Sequence, residues 1–397
     1  MDQQTSTFQR IPADDLAWLG TAPVPAKPYY DPAYNELERQ AVFLKSWINI
    51  GHVCEIPETG SFIRRELEFA RASLLIVRGR EGAVRAFHNV CPHRGTQLVD
   101  EAQGRQSKFS CPYHMWTFGT DGALLSAPDF DAFHLEKEDC ALREVAVSEC
   151  GGMLFVNFDP AAEPLREWLG EYAERLEQMP VARATTFAEY TYEIDANWKL
   201  TYDNFQENYH LRFIHPRSGG AGIGGDNEYG YPTSMGFSGP HRTQRIWAHP
   251  KPTLKPFQLK AAMKAVHSAA KHGILELPYG RDYLAFFPNL FVIGTPTQPF
   301  SHTVYPLGPE RSRGVVRVYW ASEDSNASER FAREYSLAQV RDIHCEDISI
   351  IERGQRGLSS GALDHIHFQS MEALCRHLFL EVDARVQDHA RSIGETA

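Results

Sequence analysis

The stretch CPHRGTQLVDEAQGRQSKFSCPYHMW, residues 91–116, holds two short segments, CPHRG (Cys91–Gly95) and CPYHMW (Cys111–Trp116), each with one cysteine and one histidine. The spacing is Cys-x-His, then 17 residues, then Cys-x2-His. Two thiolates and two imidazoles can bind a structural zinc. A zinc finger, however, supplies its cysteines as one close pair and its histidines as another, whereas here each loop supplies one of each. That division suits a two-iron cluster in which the cysteines take one iron and the histidines the other, with imidazole raising the reduction potential. The flanking sequence supports a β scaffold. From Trp47 to Phe158 short runs of Val, Ile, Leu and Phe are punctuated by glycine turns. Ser73–Arg78 and Ala83–Asn89 flank GREG, and Trp116–Phe118 and Ala123–Leu125 flank GTDG. MLFVNF (Met153–Phe158) closes the block and DPAAEP (Asp159–Pro164) reads as a linker.

The whole chain has 397 residues, enough for two or three domains of about 150 residues each. With 43% hydrophobic and 23% charged residues it has the composition of a folded globular protein. A net charge of -11 argues against a nucleic-acid binder, whose phosphate contacts need a basic surface. The longest apolar stretch, around Leu284–Gly294, is broken by Pro288 and Asn289, so no membrane span is expected. The start, MDQQTSTFQR, has neither a basic nor an apolar leader region, and a cytoplasmic location is expected. Seven cysteines, an odd number without framework spacing, read as reduced thiols or metal ligands.

Beyond the linker the periodicity becomes helical. In NWKLTYDNFQENYHLRFIHP (Asn197–Pro216) a helix is expected over Trp198–His210, with Trp198, Tyr202, Phe205 and Tyr209 as its apolar stripe. Asp203, Glu207 and His210 form a second stripe beside it, and Thr201, Asn204, Asn208 and Arg212 the outward side. His215 would lie about 140° round from His210, so the two can share a metal only if the helix bends or ends, as Pro216 permits. Two histidines need a carboxylate to complete the open triad of non-haem Fe(II) sites. In Ser336–Arg353 the stripe Val340, Ile343, Ile350, Ile351 is interrupted by Asp347, where a hydrophobe is expected, while Glu346 falls on the polar face with Asp342, Ser349 and Arg353. Burying an unpaired carboxylate is costly, so Asp347 should coordinate a cation or pair with one. Glu207 as the ligand, with Asp347 structural, is the alternative. Helices are also expected over Pro32–Leu44, Phe257–His272 and Ile366–His389, and strands over Tyr283–Ile293 and Val315–Ala321. The string Gly220–Gly225 matches G-x-G-x-x-G but lacks the strand and helix of a dinucleotide site, and reads as a loop over the site mouth.

CPHRG, CPYHMW with its Trp116, the segment Asn197–Pro216 and the tail EDISIIERGQRGLSSG (Glu346–Gly361) together resemble the catalytic α subunit of Rieske non-haem iron ring-hydroxylating oxygenases. The resemblance implies an α+β protein: an all-β Rieske [2Fe–2S] domain joined to a helix-grip (START/Bet v 1-like) catalytic domain with an antiparallel sheet. Residues 1–44 would pack on the catalytic domain, 45–160 form the Rieske domain and 161–397 the catalytic domain. One [2Fe–2S] cluster would sit on Cys91, His93, Cys111 and His114, and one mononuclear Fe(II) on His210, His215 and Asp347. Glu207 stands where many relatives carry an aspartate that links the iron to the cluster of a neighbouring subunit. Trp116, Asp203 and Asn204 would support the ligands, and Phe213, Trp247, Phe286, Phe287 and Phe291 would line the substrate pocket or serve as plain core. The implied activity is that of a terminal oxygenase, hydroxylating or cis-dihydroxylating an aromatic or alicyclic small molecule with O2. Its electrons would come from a separate NAD(P)H reductase, directly or through a ferredoxin. Oxidative N- or O-demethylation of a small amine or methoxy compound is the alternative. A homotrimer is implied, with a small β subunit left open.

Overall fold

The computed structural model describes residues 8–216, 218, 223–247, 249 and 254–395. The chain divides into two compact units, Phe43–Trp168 and the larger Met1–Val42 with Leu169–Ala397.

Helix α1 (Pro32–Glu38) opens the larger unit; Asp31 caps it by accepting from the Tyr34 N–H at 2.9 Å, and Pro32 occupies the first turn. The smaller unit is all β. Its strands are β1 (Ile48–His52), β2 (Ser61–Leu67), β3 (Ala72–Arg78), β4 (Val84–His88), β5 (Gln103–Arg105), β6 (Lys108–Ser110), β7 (Thr117–Gly119), β8 (Leu124–Ser126), β9 (Glu144–Cys150) and β10 (Met153–Asn157). Seven make one sheet in the order β1-β10-β9-β4-β3-β2-β5, and β6-β7-β8 make a second. The GREG turn joins β3 to β4 with Gly82 at φ +79°, a conformation that favours glycine. A core of Phe62, Phe87, Phe109, Trp116 and Phe118 surrounds Cys91 and Cys111.

The larger unit continues with α2 (Tyr172–Glu177), β11 (Thr186–Ile194), α3 (Trp198–Asp203), α4 (Leu211–Ile214), β12 (Ser234–Ser238), β13 (His241–Arg245), α5 (Pro256–Lys271), β14 (Asp282–Phe286), β15 (Leu290–Ile293), β16 (Phe300–Gly308), β17 (Arg311–Trp320), α6 (Ala327–Ser359) and α7 (Ala373–Ile393). Its antiparallel sheet runs β11-β17-β16-β15-β14-β13-β12. Cross-strand partners share a face of a sheet. One such row is Arg242, Ala285, Phe291, His302, Val316, Tyr190, and the next is Gln244, Tyr283, Ile293, Phe300, Val318, Ala188. Val316, Val318, Tyr190 and Phe300 pack on Val340 of α6, so this is the sheet face that α6 covers. α3 meets the same face through Thr201, whose hydroxyl lies 3.0 Å from that of Ser312.

Several boundaries differ from the sequence expectations, for local reasons. The expected strand Tyr283–Ile293 is a hairpin, because Pro288 cannot donate to a ladder and the Tyr202 hydroxyl donates to the Leu290 carbonyl at 2.7 Å. α6 begins nine residues before Ser336, where Asn326 accepts from the N–H groups of Ser328 and Glu329. α7 starts at Ala373 instead of Ile366, after Gln369 and Glu372 form a capping box and His365–Ile366 pair with Val24–Pro25. α3 stops at Asp203, so Trp198–His210 is not one helix. The Glu207 carboxylate accepts from the Tyr209 and His210 N–H groups, a local bond that competes with helix continuation. Thr201 and Asn208, expected outward, are buried; Asn208 donates to the Gly230 carbonyl at 2.8 Å.

The N-terminal segment is anchored electrostatically. Glu38 and Lys199 form a fully buried ion pair; Trp198 Nε1 donates to Glu38 at 3.0 Å and Lys199 Nζ to the Pro28 carbonyl at 2.9 Å. Among the described residues no helix is long and apolar enough to cross a membrane.

Candidate metal centres and active site

In the smaller unit the two Cys/His segments fold into matched loops. Cys91 N–H donates to the Thr96 carbonyl at 2.8 Å and Gly95 N–H to the Cys91 carbonyl at 2.9 Å; Cys111 to Trp116 at 2.7 Å and Met115 to Cys111 at 3.0 Å repeat the pattern. The fifth residue of each loop is left-handed, Gly95 at φ +77° and Met115 at φ +58°. Both cysteines are buried and outside any disulfide. Burial, reinforced by the neighbouring Cys111, pushes the Cys91 thiol up, a penalty that a metal would reverse. His93 and His114 lie side by side with ring centroids 4.5 Å apart, and His93 stacks on Trp116 at 5.0 Å, nearly parallel. His93 Nδ1 is buried without a hydrogen-bond partner, as a metal ligand would be. The four side chains do not converge on one point: among the described residues the only His/Cys/Asp/Glu group whose ligand atoms come within 4.8 Å of one another is His210, His215 and Asp347. Two adjacent pairs fit two irons better than one tetrahedral zinc.

The second cluster forms where the ligand segment breaks. With α3 ended, His210 and His215 flank the single turn of α4, and their rings meet edge-on with centroids 5.2 Å apart. Each imidazole is held the same way. His210 Nδ1 bonds to Glu207 and His215 Nδ1 to Glu346, the latter at 2.7 Å. With Nδ1 as donor, each Nε2 lone pair turns toward Asp347 Oδ1, 3.6 Å from His210 and 2.8 Å from His215. His215 Nε2 and Asp347 Oδ1 are buried and, despite their separation, are not aligned as a hydrogen bond. Two acceptors converging on a third point is the geometry of cation ligands. Burial alone would pull the His215 imidazolium down, but Asp347 and Glu346 outweigh it and raise its pKa, marking a site that demands positive charge.

Near Asp347 the side chains on the sheet face are aromatic. Phe205 meets His302 and His344 edge-on at 4.4 and 4.6 Å. Tyr192 lies 2.8 Å from His302 Nε2, and Tyr190 bonds to His344 Nδ1. Gly314 is directly opposite Tyr192, where a Cβ would collide with its ring. Burial drives His344 down to about 4 and pulls His302 well below the ordinary imidazole value, where His344 beside it adds to the effect. Tyr283 and Phe291 meet at right angles at 4.5 Å, and Tyr283 is close enough to Glu207 to feel its charge.

Asp203 is buried; burial raises its pKa to about 7, against the pull of Arg242 and Lys199, and it accepts from Gln206 at 3.0 Å and Tyr29 at 3.3 Å. Asn204 caps α3 with Nδ2 buried and unpartnered. Of the expected pocket residues, Phe291 is on the α6 side of the sheet. Phe286 pairs with Leu290 on the opposite face, beside His241, because a strand alternates sides. Phe287 is in the hairpin turn, its ring against the Arg385 guanidinium at 4.5 Å. Phe213 is 61% exposed, and Trp247 follows β13 and packs on Phe8 and His249. Gly220–Gly222 of the glycine-rich string lie outside the described residues. Sequence reasoning missed Gln244 and His302, which have no ligand spacing to mark them, and the bond from Glu346 to His215, masked by the place of Glu346 on the polar stripe.

Family models match both parts of the chain. The model of the ring-hydroxylating α subunit (catalytic domain) matches residues 181–388, and that of the Rieske [2Fe-2S] domain matches residues 46–145. This chain belongs to the Rieske oxygenase α subunits. The family carries a [2Fe–2S] cluster and a mononuclear iron, and its members are oxygenases. This α subunit is 30% identical over 350 residues to the carnitine monooxygenase oxygenase subunit of Escherichia coli (strain K12), covering 85% of this chain and 84% of that one. It is 34% identical over 191 residues to the glycine betaine monooxygenase oxygenase subunit of Pseudomonas aeruginosa, 48% of this chain and 44% of the relative. Its fold matches a quaternary ammonium Rieske monooxygenase solved with L-carnitine, with a TM-score of 0.73 and 24% identity over 94% of this chain and 99% of that one.

Proposed function

We propose that this terminal oxygenase hydroxylates a methyl group of a small methylated ammonium compound, so that N-demethylation follows, rather than oxidising an aromatic hydrocarbon. The observation that carries the substrate class is the near-full-length similarity to carnitine monooxygenase subunits, supported by the aromatic corner of Tyr283 and Phe291 beside Glu207. Aromatic faces attract a quaternary or protonated ammonium without a strong ion pair, each contact adding about 1–2 kcal/mol when desolvated.

Cys91, Cys111, His93 and His114 would hold the cluster, and His210, His215 and Asp347 the ferrous ion. When bound, these groups supply single-electron transfer and dioxygen activation. The chain's own residues prepare the site. Glu207 and Glu346 each accept from one imidazole Nδ1–H, fixing both tautomers and aiming both Nε2 atoms at the ion. Asp347 would complete the ligand set with a carboxylate oxygen. Phe205 and the Tyr283–Phe291 corner exclude water from the side where substrate enters. Electrons would come from a separate reductase, and Glu207 would couple their arrival to the iron. A cyclic homotrimer would close a head-to-tail arrangement of subunits.

Turnover of a panel of methylated amines and of simple arenes with a surrogate reductase tests the assignment. Release of formaldehyde and a product lighter by one methylene is expected with an amine. Oxygenated arenes without any amine turnover would overturn it.

A further inference from the structure

The sheet face beneath α6 is aromatic except for a few polar groups, and one of these is conspicuous. Gln244 on β13 is 1% exposed, and both its Oε1 and its Nε2 are buried without a hydrogen-bond partner. Leaving one buried polar atom unpaired already costs a folded protein about 1–3 kcal/mol; leaving both ends of one amide unpaired needs a reason. Gln244 pairs with Tyr283 in register, so its side chain leaves the sheet on the same side as Tyr283, Phe291 and His302. His302 repeats the pattern, with Nε2 at Tyr192 and a buried, unpartnered Nδ1. The neighbouring Arg242 uses its Nε on Gln206 and one Nη on the Pro240 carbonyl; its other Nη is buried without a partner and does not bond Gln244.

The geometry points to Gln244 as a substrate-recognition residue. The carboxamide would pair with a polar substituent of the substrate, donating from Nε2 and accepting at Oε1, while the methylated end is held by the aromatic corner. A hydroxyl satisfies both ends; a carboxylate satisfies Nε2 and brings the water that satisfies Oε1. The substrate class narrows accordingly, from methylammonium compounds in general to those carrying a hydroxyl or carboxylate a few bonds from the nitrogen. This inference rests on the methylammonium assignment above only for the other end of the molecule.

Two matched pairs of probes test it on the metal-loaded, reduced protein under anaerobic conditions, with affinities read by titration calorimetry. Choline and propyltrimethylammonium differ by hydroxyl against methyl, as do benzyl alcohol and ethylbenzene. The wild type is expected to prefer the hydroxyl member by roughly 10- to 100-fold in the class it accepts. Gln244→Leu should erase that preference without weakening the apolar member, and should raise the thermal midpoint of the ligand-free protein, because two unpaired polar atoms leave the core. Preference confined to the aromatic pair would sink the methylammonium assignment and leave Gln244 in its role. Binding without preference, equal loss of both members in Gln244→Leu, a lowered midpoint in that variant, or binding of neither pair would each overturn the proposal.

Discussion

Glu346 Oε2 lies 2.7 Å from His215 Nδ1, so one imidazole sits between consecutive residues of α6, bonded to Glu346 at Nδ1 and facing Asp347 Oδ1 at 2.8 Å with Nε2. Consecutive helical residues point about 100° apart, and only a ring inserted between them can touch both. Ser218 also donates to Glu346, at 2.5 Å, which steadies the carboxylate that orients the ring.

Glu346→Gln should therefore weaken iron without touching the cluster. Loss of the charged acceptor loosens the tautomer and orientation of His215, and iron affinity should fall about 10- to 100-fold. Chelator competition for the mononuclear iron, with the cluster's visible spectrum as internal control, checks this.

His210→Ala and Asp347→Ala should abolish turnover while leaving the cluster's spectrum intact, because the two sets of ligands lie in different units of the chain. Cys91→Ser should bleach that spectrum. Visible absorption and metal content of the three purified variants separate the outcomes.

The two Cys/His loops proposed for the cluster were legible because ligand chemistry dictates their spacing, and the buried place of Asp347 because it breaks a hydrophobic stripe. The end of α3 was not. Trp198, Tyr202, Phe205 and Tyr209 keep helical period across a segment that is not helical, since Glu207 caps Tyr209 and His210 and no periodicity records that bond. The proposed substrate face was illegible for a related reason. Its members come from β11, β13, β14, β15, β16 and α6, and only strand register reveals that Phe291 shares a face with His302 while Phe286 does not.

Asp203 makes stability depend on pH. Its folded pKa of about 7 is above the ordinary 3.8, so the folded state holds the proton more tightly than the unfolded chain. The stabilisation is full below about pH 4 and is lost as pH rises through 7, by at most about 4 kcal/mol. Asp203→Asn should flatten that slope, as urea unfolding at several pH values would register.

Removing one partner of the buried Glu38–Lys199 pair strands a charge in the core. Lys199→Met should cost about 3–5 kcal/mol, and adding Glu38→Gln should recover part of it. Denaturant unfolding of the single and double variants measures the coupling.

Backbone strain distinguishes the two cluster loops. A Cβ at Gly95 meets nothing within 4 Å, so Gly95→Ala pays only for its left-handed backbone, about 1 kcal/mol. Met115 already bears that strain, and Met115→Gly should be close to neutral. Thermal unfolding followed at the cluster's visible band compares them.

Two iron centres on one polypeptide are the foundation of the whole account, and quantitative metal and acid-labile sulfide analysis of anaerobically reconstituted protein tests them most directly. The expected result is about three irons and two sulfides per chain. Stoichiometric zinc without sulfide, or iron that does not exceed the two of the cluster, would contradict it.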